Sequence, residues 1–340
     1  MDLAALNDIA NKMVEKGKGI LAADESSGTI KKRFDQINVE STENNRRDYR
    51  EMLFRSEGMQ HVSGVILFDE TIRQNAADGT PLIKLIQDAG AVPGIKVDAG
   101  AKELAGAPGE KVTEGLDGLR ERLAEYHAIG ARFAKWRAVI DIAEDIPSQY
   151  CLNANAHALA RYAALCQEAG IVPIVEPEVL MDGGHDIDRC AEVTEAALDA
   201  LYAELFVQRV QLEGTVLKPN MVVSGKKNAV QAGVEEVAEK TIKVLKRCVP
   251  SAVPGIAFLS GGQSDEEATA HLNAMNAIGN LPWNLTFSYG RALQAPALKA
   301  WNGQAENVTK AQAVFTHRAK MNGLATRGDW KSEMERGLAV

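Results

Sequence analysis

Short apolar segments recur along the chain, and each ends in polar residues or in glycine. Eight of them start roughly 30 to 45 residues apart, at 19–24, 62–69, 92–98, 131–139, 171–179, 210–219, 255–262 and 285–291. Segments of this length are typical of buried strands. The stretches between them, such as 116–130, 153–170 and 234–248, carry apolar residues at helical spacing and end near glycine or proline. Eight alternations of strand and helix predict an α/β fold, the (β/α)8 TIM barrel.

The length of 340 residues admits either two or three domains of ordinary size or one large barrel. A doubly wound sheet also alternates strands and helices, but one that binds a dinucleotide has a G-x-G-x-x-G turn after its first strand, and GILAADESSG has none. No linker rich in proline, glycine or serine divides the chain. We therefore predict a single barrel domain over 1–340, with strands at about 19–291 and a C-terminal helix and loose tail at about 302–340.

Composition limits the possible partners more than it limits the fold. Hydrophobic residues make up 46% of the chain and charged residues 25%, which argues against disorder or a coiled-coil rod. The net charge of −8 argues against nucleic acid or an anionic membrane as the main partner, because both require broad basic surfaces. An anionic small substrate stays possible where basic residues converge locally.

The cysteines and the N-terminus indicate a reducing compartment. The four cysteines form no C-x-x-C pair and lack the spacing of a zinc site, so we expect reduced thiols in packing positions. The N-terminus has no basic segment followed by a long apolar one, and no run of about 18 apolar residues occurs. A cytoplasmic location without a membrane partner is the expectation.

Polar residues lie at the ends of the predicted strands, where the chemistry of such barrels takes place. Several charged residues are spaced by two, so both members of a pair share one face of the strand. One such residue alone is most simply part of a salt bridge at the barrel rim. Burying the whole set is costly, so a functional site is the simpler explanation. The set comprises Asp24, Asp69, Lys96, Asp98, Lys135, Arg137, Glu176, Glu178, Lys218, Ser260, Gly261, Gly262, Ser288, Gly290 and Arg291.

Lys218 places an amine at the end of a buried strand, directly before a proline. A free lysine has a pKa of about 10.4, and burial or neighbouring cations such as Lys135 and Arg137 can lower that pKa. A neutral amine can attack a ketone and form a Schiff base, whose iminium accepts electrons from a breaking carbon–carbon bond. Glu176 and Glu178 are the candidates for the general acid and base that these steps require.

Two glycine-containing turns, SGGQS at 260–264 and SYGRA at 288–292, follow the last two predicted strands. Free backbone N–H groups at such turns bind anions, and barrels of this type commonly hold phosphate there. A lone Gly-Gly is more often a tight turn, but two neighbouring turns beside Arg291 favour a phosphate site. Ser26, Thr29 and Arg33, together with Lys96, are candidates for a second phosphate site.

The histidines give no indication of metal chemistry. The six of them lack the spacing of metal ligands, so we predict no metal and no other cofactor. His185, in MDGGHDID after the fifth predicted strand, is the only one near the expected site.

Ten sequence motifs resemble those of class I (Schiff-base) fructose-bisphosphate aldolase. The resemblance runs from about 18 to 303, and motifs of this length in this order are highly specific. They are KGILAADES, ENNRRDYR, GVILFDET, GIKVD, GLDGLRER, FAKWRAVI, ARYAALCQEAGIVPIVEPEVL, LEGTVLKPNMV, FLSGGQSDEEA and LTFSYGRALQ.

The resemblance implies a role for each candidate residue. Lys218 would form the Schiff base and Glu176 would be the acid/base. Glu178, Lys135 and Asp24 would assist, Asp24 by handling the hydroxyl on the far side of the cleaved bond, and Arg137 would hold the charges around them. The ketone-side phosphate would bind Ser260, Gly261, Gly262, Ser288, Gly290 and Arg291, and the other phosphate would bind Ser26, Thr29, Arg33 and Lys96. The family needs no metal, and its members are usually tetramers.

The sequence departs from that family in two places. Thr29 stands where animal members have serine, which keeps the hydroxyl. Many members also end in a tyrosine that takes part in proton exchange on the enamine, whereas this sequence has no aromatic residue after Trp330. Which group replaces that tyrosine stays open, as does the preference between fructose 1,6-bisphosphate and fructose 1-phosphate.

The resemblance implies reversible, metal-independent aldol cleavage of fructose 1,6-bisphosphate in glycolysis and gluconeogenesis. One alternative is another Schiff-base barrel such as a transaldolase, although two phosphate sites favour a bisphosphate substrate. The other is a non-catalytic phosphosugar-binding or scaffold protein, which would be expected to lose its lysines and glutamates first.

Overall fold

The barrel of this protein is one closed sheet of eight parallel strands, in a computed structural model that describes residues 2–337. Each strand pairs with its neighbours along the chain, and the first pairs with the last, so the sheet has no edge. This architecture confirms the predicted α/β barrel. The strands are β1 Gly19–Ala23, β2 Val62–Leu67, β3 Val92–Lys96, β6 Phe133–Ile140, β7 Val172–Val179, β8 Val216–Leu217, β9 Gly255–Phe258 and β10 Asn284–Tyr289, and β4 Ala101–Glu103 pairs with β5 Lys111–Thr113 outside the barrel.

Helices surround the barrel, and five of those described begin at a polar side chain that accepts a hydrogen bond from an N–H group of the first turn. Ser148 and Asp186, for example, accept hydrogen bonds from N–H groups in the first turns of α7 and α8. The helices are α1 Leu3–Met13, α2 Ser27–Asp35, α3 Glu43–Phe54, α4 Asp69–Ile72, α5 Leu82–Asp88, α6 Leu119–Ile129, α7 Gln149–Glu168, α8 Ile187–Val207, α9 Val234–Cys248, α10 Asp265–Ile278, α11 Arg291–Trp301 and α12 Val308–Ala325. The helix predicted at 234–248 has the observed bounds, and those at 116–130 and 153–170 differ by a few residues.

Apolar side chains fill the N-terminal half of the barrel interior. The Phe133 ring occupies the centre, since a Cβ atom on Gly94 would lie 2.3 Å from two of its carbons. Ile20, Ile66 and Val172 pack in the same cluster, and helix α1 covers it at the N-terminal end of the barrel. Because this half is filled with hydrocarbon, cavities and polar groups are confined to the C-terminal ends of the strands.

Two local predictions were wrong, and one element was not predicted. The strand predicted at 210–219 is only Val216–Leu217, because 212–214 form a 3-10 helix and Pro219 has no N–H to pair. The hairpin of β4 and β5 was not predicted, since its strands are three residues each and mostly exposed. Asp69 does not join the other strand-end residues, because it begins α4, where it accepts a hydrogen bond from Tyr126 at 2.8 Å.

The segment after Asn302 contains α12 and a 3-10 helix at Ser332–Gly337. Glu335 accepts hydrogen bonds from Trp330 at 2.9 Å and from Arg318 at 2.5 Å, so this part of the predicted loose tail is packed against α12. The end of the predicted tail, 338–340, lies outside the described residues. Over 2–337, the helices are too short or too polar to cross a bilayer.

Candidate active site

The C-terminal ends of the barrel strands surround a cavity of about 460 Å³. Every residue predicted for the site except Asp69 lines this cavity, although the chain contributes them from seven separate strand ends. They are Asp24, Ser26, Thr29, Arg33, Lys96, Asp98, Lys135, Arg137, Glu176, Glu178, Lys218, Ser260, Gly261, Gly262, Ser288, Gly290 and Arg291. The structure thus brings these residues together in one cavity.

Four charged residues, Asp24, Lys135, Glu176 and Lys218, form the floor of the cavity. Lys218 and Glu176 lie at its centre. The Lys218 N–H donates to the carbonyl of Val175 at 2.8 Å, so its backbone continues the β7–β8 pairing and directs the side chain inward. Its Nζ lies 3.2 Å from Oε1 of Glu176, and both side chains are buried. Oε2 of Glu176 has no hydrogen-bond partner among the described residues, which leaves it free to exchange a proton with a ligand.

Lys135 connects Glu176 to the opposite side of the floor. Its Nζ lies 2.8 Å from Asp24, 3.7 Å from Glu176 and 3.9 Å from Asp98. Burial acts to lower the pKa of Lys135, but the charges of these three carboxylates outweigh burial and raise it. Lys135 therefore stays protonated at neutral pH.

Asp24 follows β1 and stays ionised. Burial acts to raise its pKa, but the charges of Lys135 and Lys218, with the hydrogen bond from Lys135, lower it to about 2. Lys96 adds to the same positive field and lies 3.3 Å from Asp98. The floor thus holds ionised groups of both signs at close range.

Arg137 and Glu178 form an ion pair next to the floor residues, further towards the C-terminal ends of β6 and β7. Their side chains bond directly, and each follows a floor residue by two positions in its strand, Lys135 in β6 and Glu176 in β7. Burial acts to lower the pKa of Arg137, but the charge of Glu178 and its hydrogen bond raise it. The structure therefore pairs Arg137 with Glu178 beside Lys135 and Glu176.

The turn after β9 depends on two glycines. Gly261 and Gly262 have φ angles of +52° and +77°, which glycine adopts without strain, and Gln263 N–H closes the turn on the carbonyl of Ser260 at 3.0 Å. The following helix, α10, is capped by its own Ser264, which accepts a hydrogen bond from the Glu267 N–H. The turn therefore lies between the C-terminal end of β9 and the start of α10, at the position of the first predicted phosphate site.

The turn after β10 lies beside the first one. Ser288 has a buried Oγ without a hydrogen-bond partner among the described residues. Gly290 caps α11 without a side-chain hydrogen bond, so the first N–H groups of that helix are available to a ligand. Arg291 donates to the carbonyl of Gln263, which joins the two turns.

The third polar group lies at the start of α2. Ser26 and Thr29 share a hydrogen bond of 3.1 Å, and Arg33 is one turn further along. Arg33 pairs with Glu25, and its Nη2 would lie 3.5 Å from a Cβ atom on Gly290. Its guanidinium therefore stands between the two predicted phosphate sites, whereas the sequence grouped it with only one.

Three charged residues that line the cavity were missed by the sequence-based set. Glu25 is buried and holds Arg33; Lys226 and Asp182 pair at 3.1 Å at the cavity mouth. Glu25 follows Asp24 directly and could have been found as a second carboxylate at that strand end. Asp182 and Lys226 lie in the loops that follow β7 and β8, outside the apolar segments, so the strand pattern does not indicate them.

His185 does not line the cavity, and its ring nitrogens have no hydrogen-bond partner among the described residues. Over 2–337, no three histidine, cysteine, aspartate or glutamate side chains converge in a way that suits a metal ion.

Comparison with known proteins gives the family. A model of class-I fructose-bisphosphate aldolase matches residues 5–339. The chain is 61% identical, over 97% of its own length and 100% of the relative's, to a probable fructose-bisphosphate aldolase class 1 from Xanthomonas campestris. It is 56% identical, over 95% and 90%, to a cytoplasmic isozyme of fructose-bisphosphate aldolase from Spinacia oleracea.

A solved structure shows the same fold along nearly the whole chain. It is fructose-bisphosphate aldolase from Plasmodium falciparum in complex with TRAP and a small-molecule inhibitor. The TM-score is 0.96 at 49% identity, over 97% of this chain and 96% of the other. The chain therefore belongs to the class-I fructose-bisphosphate aldolase family.

Proposed function

We propose that this chain catalyses the reversible aldol cleavage of fructose 1,6-bisphosphate to glycerone phosphate and glyceraldehyde 3-phosphate through a Schiff base on Lys218. The observation that carries the proposal is the Lys218 amine, 3.2 Å from a Glu176 carboxylate at the floor of a cavity with polar turns at its mouth. Membership of the class-I family agrees with it, and the reaction is that of a lyase, EC 4.1.2.13.

Schiff-base formation needs an amine and a proton donor at one carbon atom. The neutral Lys218 amine adds to the C2 carbonyl and gives a carbinolamine. Protonated Glu176 then donates its proton to the departing hydroxyl, which leaves as water, and the iminium forms. The short distance between Lys218 and Glu176 lets one carboxyl serve both the amine and the hydroxyl.

Carbon–carbon cleavage then uses the carboxylate that the first step produced. Glu176 accepts the proton of the C4 hydroxyl, the C3–C4 bond breaks, and its electron pair moves to the iminium nitrogen to give an enamine. Glyceraldehyde 3-phosphate leaves. The enamine carbon next takes up a proton, and water hydrolyses the resulting iminium to release glycerone phosphate and the free amine.

Asp24 orients the reacting hydroxyl rather than deprotonating it. With a pKa of about 2 it is a weak base, but its carboxylate is a strong hydrogen-bond acceptor. Lys135, kept protonated by the surrounding carboxylates, holds Asp24 in place and stabilises negative charge that develops on oxygen. Arg137 and Glu178 keep this arrangement fixed.

The two phosphates occupy opposite ends of the cavity. Ser260, Gly261 and Gly262 with Ser288, Gly290 and Arg291 bind the ketone-side phosphate, and Ser26, Thr29 and Lys96 bind the other. Arg33 reaches both. A substrate with phosphate at both ends uses all these groups, so fructose 1,6-bisphosphate is preferred over fructose 1-phosphate.

Borohydride trapping tests this proposal. Incubation with glycerone phosphate and borohydride should label the peptide that contains Lys218, and Lys218→Met should lose both label and turnover, whereas Lys227→Met should keep both. A chelator should not change the activity. Label on another lysine, or inactivation by the chelator, would overturn the mechanism.

Activity and binding assays on the same purified protein distinguish the two alternative functions. A transaldolase would cleave monophosphate sugars and would not prefer the bisphosphate. A non-catalytic phosphosugar-binding protein would bind fructose 1,6-bisphosphate without turnover. The complete set of Lys135, Glu176 and Lys218 on one floor favours the aldolase.

We also infer a cytoplasmic location and a homotetramer. The plant relatives carry cytosolic or cytoplasmic names. Phe206 and Val207, at the end of α8, are 84% and 69% exposed, which supports an apolar contact between copies of this chain. Light scattering of the purified protein at several concentrations tests the oligomer, and a monomer would refute it.

A further inference from the structure

Two loops at the cavity mouth are joined through their backbones. The N–H groups of Gly225 and Lys226, between β8 and α9, donate to the carbonyls of His185 and Met181 at 2.9 and 2.7 Å. Those carbonyls belong to the loop that follows β7. The backbone of Lys226 is therefore fixed beside the cavity although its residue type and sequence position suggest an ordinary surface lysine.

The ammonium of Lys226 lies directly against the Gly261–Gly262 turn. A Cβ atom on Gly262 would come within 2.3 Å of its Nζ, so the ammonium and this backbone turn are in direct contact. Lys226 also lines the same cavity as Lys218. Any anion held by the N–H groups of this turn would lie within reach of this ammonium.

Lys226 pairs with Asp182 at 3.1 Å. The lysine side chain is 47% exposed and the aspartate 64%, so the pair is well hydrated and contributes little to stability. A phosphate dianion at the turn carries more negative charge than one carboxylate and offers three acceptor oxygens. Lys226 can therefore exchange Asp182 for phosphate at little cost.

We propose that Lys226 is an additional phosphate-binding residue of the ketone-side subsite, and that Asp182 holds its ammonium beside the Gly261–Gly262 turn until the phosphate arrives. This inference rests on the proposed function, since it names a contact for that substrate. It adds a cation from a loop that follows β8, beyond the strand-end groups of the subsite.

The condensation direction separates the two phosphate subsites, because each substrate brings one phosphate. Lys226→Met should raise the KM for glycerone phosphate about fivefold, with the KM for glyceraldehyde 3-phosphate unchanged and kcat within about twofold. Lys226→Arg should restore most of the affinity. Lys227→Met is the matched control: Lys227 is the exposed neighbour, does not line the cavity, and should leave both KM values unchanged.

Asp182→Asn gives an effect of opposite sign. With Lys226 present, it should lower the KM for glycerone phosphate, because the ammonium no longer has a competing carboxylate. In the Lys226→Met background, the same change should have a much smaller effect. Unphosphorylated dihydroxyacetone should react equally well with the protein and its Lys226→Met variant, which a general distortion of the site would not allow.

Three results would overturn the inference: an unchanged KM for glycerone phosphate in Lys226→Met, an equal rise for both substrates, or the same rise in Lys227→Met. Borohydride trapping with glycerone phosphate shows whether such a result refutes only the Lys226 contact or the proposed function as well. Labelling of Lys218 with an unchanged KM in Lys226→Met refutes only the Lys226 contact, whereas absence of labelling in the unmodified protein refutes the Schiff-base function.

Discussion

Replacing Glu25 with glutamine would remove the carboxylate shared by two arginines beside the cavity. The Glu25 carboxylate pairs with Arg33, lies 3.7 Å from Nη2 of Arg50 and accepts a hydrogen bond from Gln294 at 3.0 Å. Arg50 is 1% exposed, and its Nε and Nη1 have no hydrogen-bond partner among the described residues. Its other carboxylate neighbour, Glu70, lies 3.7 Å away.

The expected loss is large because Arg50 cannot reach water. Burial lowers the pKa of Arg50 while Glu25 and Glu70 act to raise it, so its charge depends on those carboxylates. Removing one partner of a buried ion pair costs about 3–5 kcal/mol. Glutamine keeps the shape of Glu25, so we expect Glu25→Gln to lower the free energy of unfolding by about 3 kcal/mol.

Denaturant unfolding at fixed protein concentration measures this loss. Asp35→Asn is the control, since it breaks the exposed Lys31–Asp35 pair of α2 and should cost less than about 1 kcal/mol. Arg50→Met removes the stranded cation, so the double variant should be less destabilised than the sum of the single ones, by at least about 1 kcal/mol. A Glu25→Gln loss as small as that of the control, or additive single losses, would refute the reasoning. If Glu25→Gln alone does not fold, recovery of folding in the double variant carries the same test.

Three further measurements address other parts of the molecule. The pKa of Asp24 is about 2 in the folded protein and 3.8 in the reference state, so its carboxylate stabilises the protein by about 2 kcal/mol above pH 4 and loses this effect as the pH falls towards 2. The difference in unfolding free energy between the protein and Asp24→Asn should therefore shrink over that pH range. A constant difference would contradict the lowered pKa of Asp24. Gly94→Ala should lower the free energy of unfolding by about 1–3 kcal/mol, because the added Cβ atom meets the buried Phe133 ring. Gly28→Ala is the control and should not lower it, since the space around Gly28 is open. Equal unfolding free energies of the two variants in denaturant melts would disprove the steric argument. Burial raises the pKa of all four cysteine thiols, so a thiol reagent at pH 8 should react slowly until the protein is unfolded, and rapid labelling of the native protein would be inconsistent with this.

The strand-end residues could be predicted from the sequence because parallel strands bring their C-terminal ends to one rim. Lys135 and Arg137, like Glu176 and Glu178, are spaced by two in strands that the apolar pattern identifies. Once the barrel is predicted, their convergence follows from topology alone. The partners within the cluster do not follow, since the bond between Lys135 and Asp24 depends on side-chain conformations at close range.

The supporting residues could not be predicted, since their partners are distant in sequence. Arg50 lies in a helix next to buried Met52, Leu53 and Phe54, and its type indicates an exposed position. Only packing of α3 against the first strand end brings it to Glu25. Likewise, Lys226 acquires its position from backbone bonds between two loops that no local pattern couples.

The polar groups of the site form two sets with different functions: the charged floor, and a rim that consists of Arg291 and the two turns after β9 and β10. On the floor, Lys135 and Lys218 are matched by Asp24 and Glu176 at 2.8–3.7 Å, so an incoming phosphate gains little there. At the rim, the Arg291 side chain bonds a neutral carbonyl, and the turns present free N–H groups. Changes at the rim should therefore act mainly on KM, and changes on the floor mainly on kcat, because only floor groups meet charge that develops during bond breaking. A chain with a net charge of −8 can thus bind a doubly phosphorylated sugar, since the local field at the rim, and not the total charge, acts on the ligand.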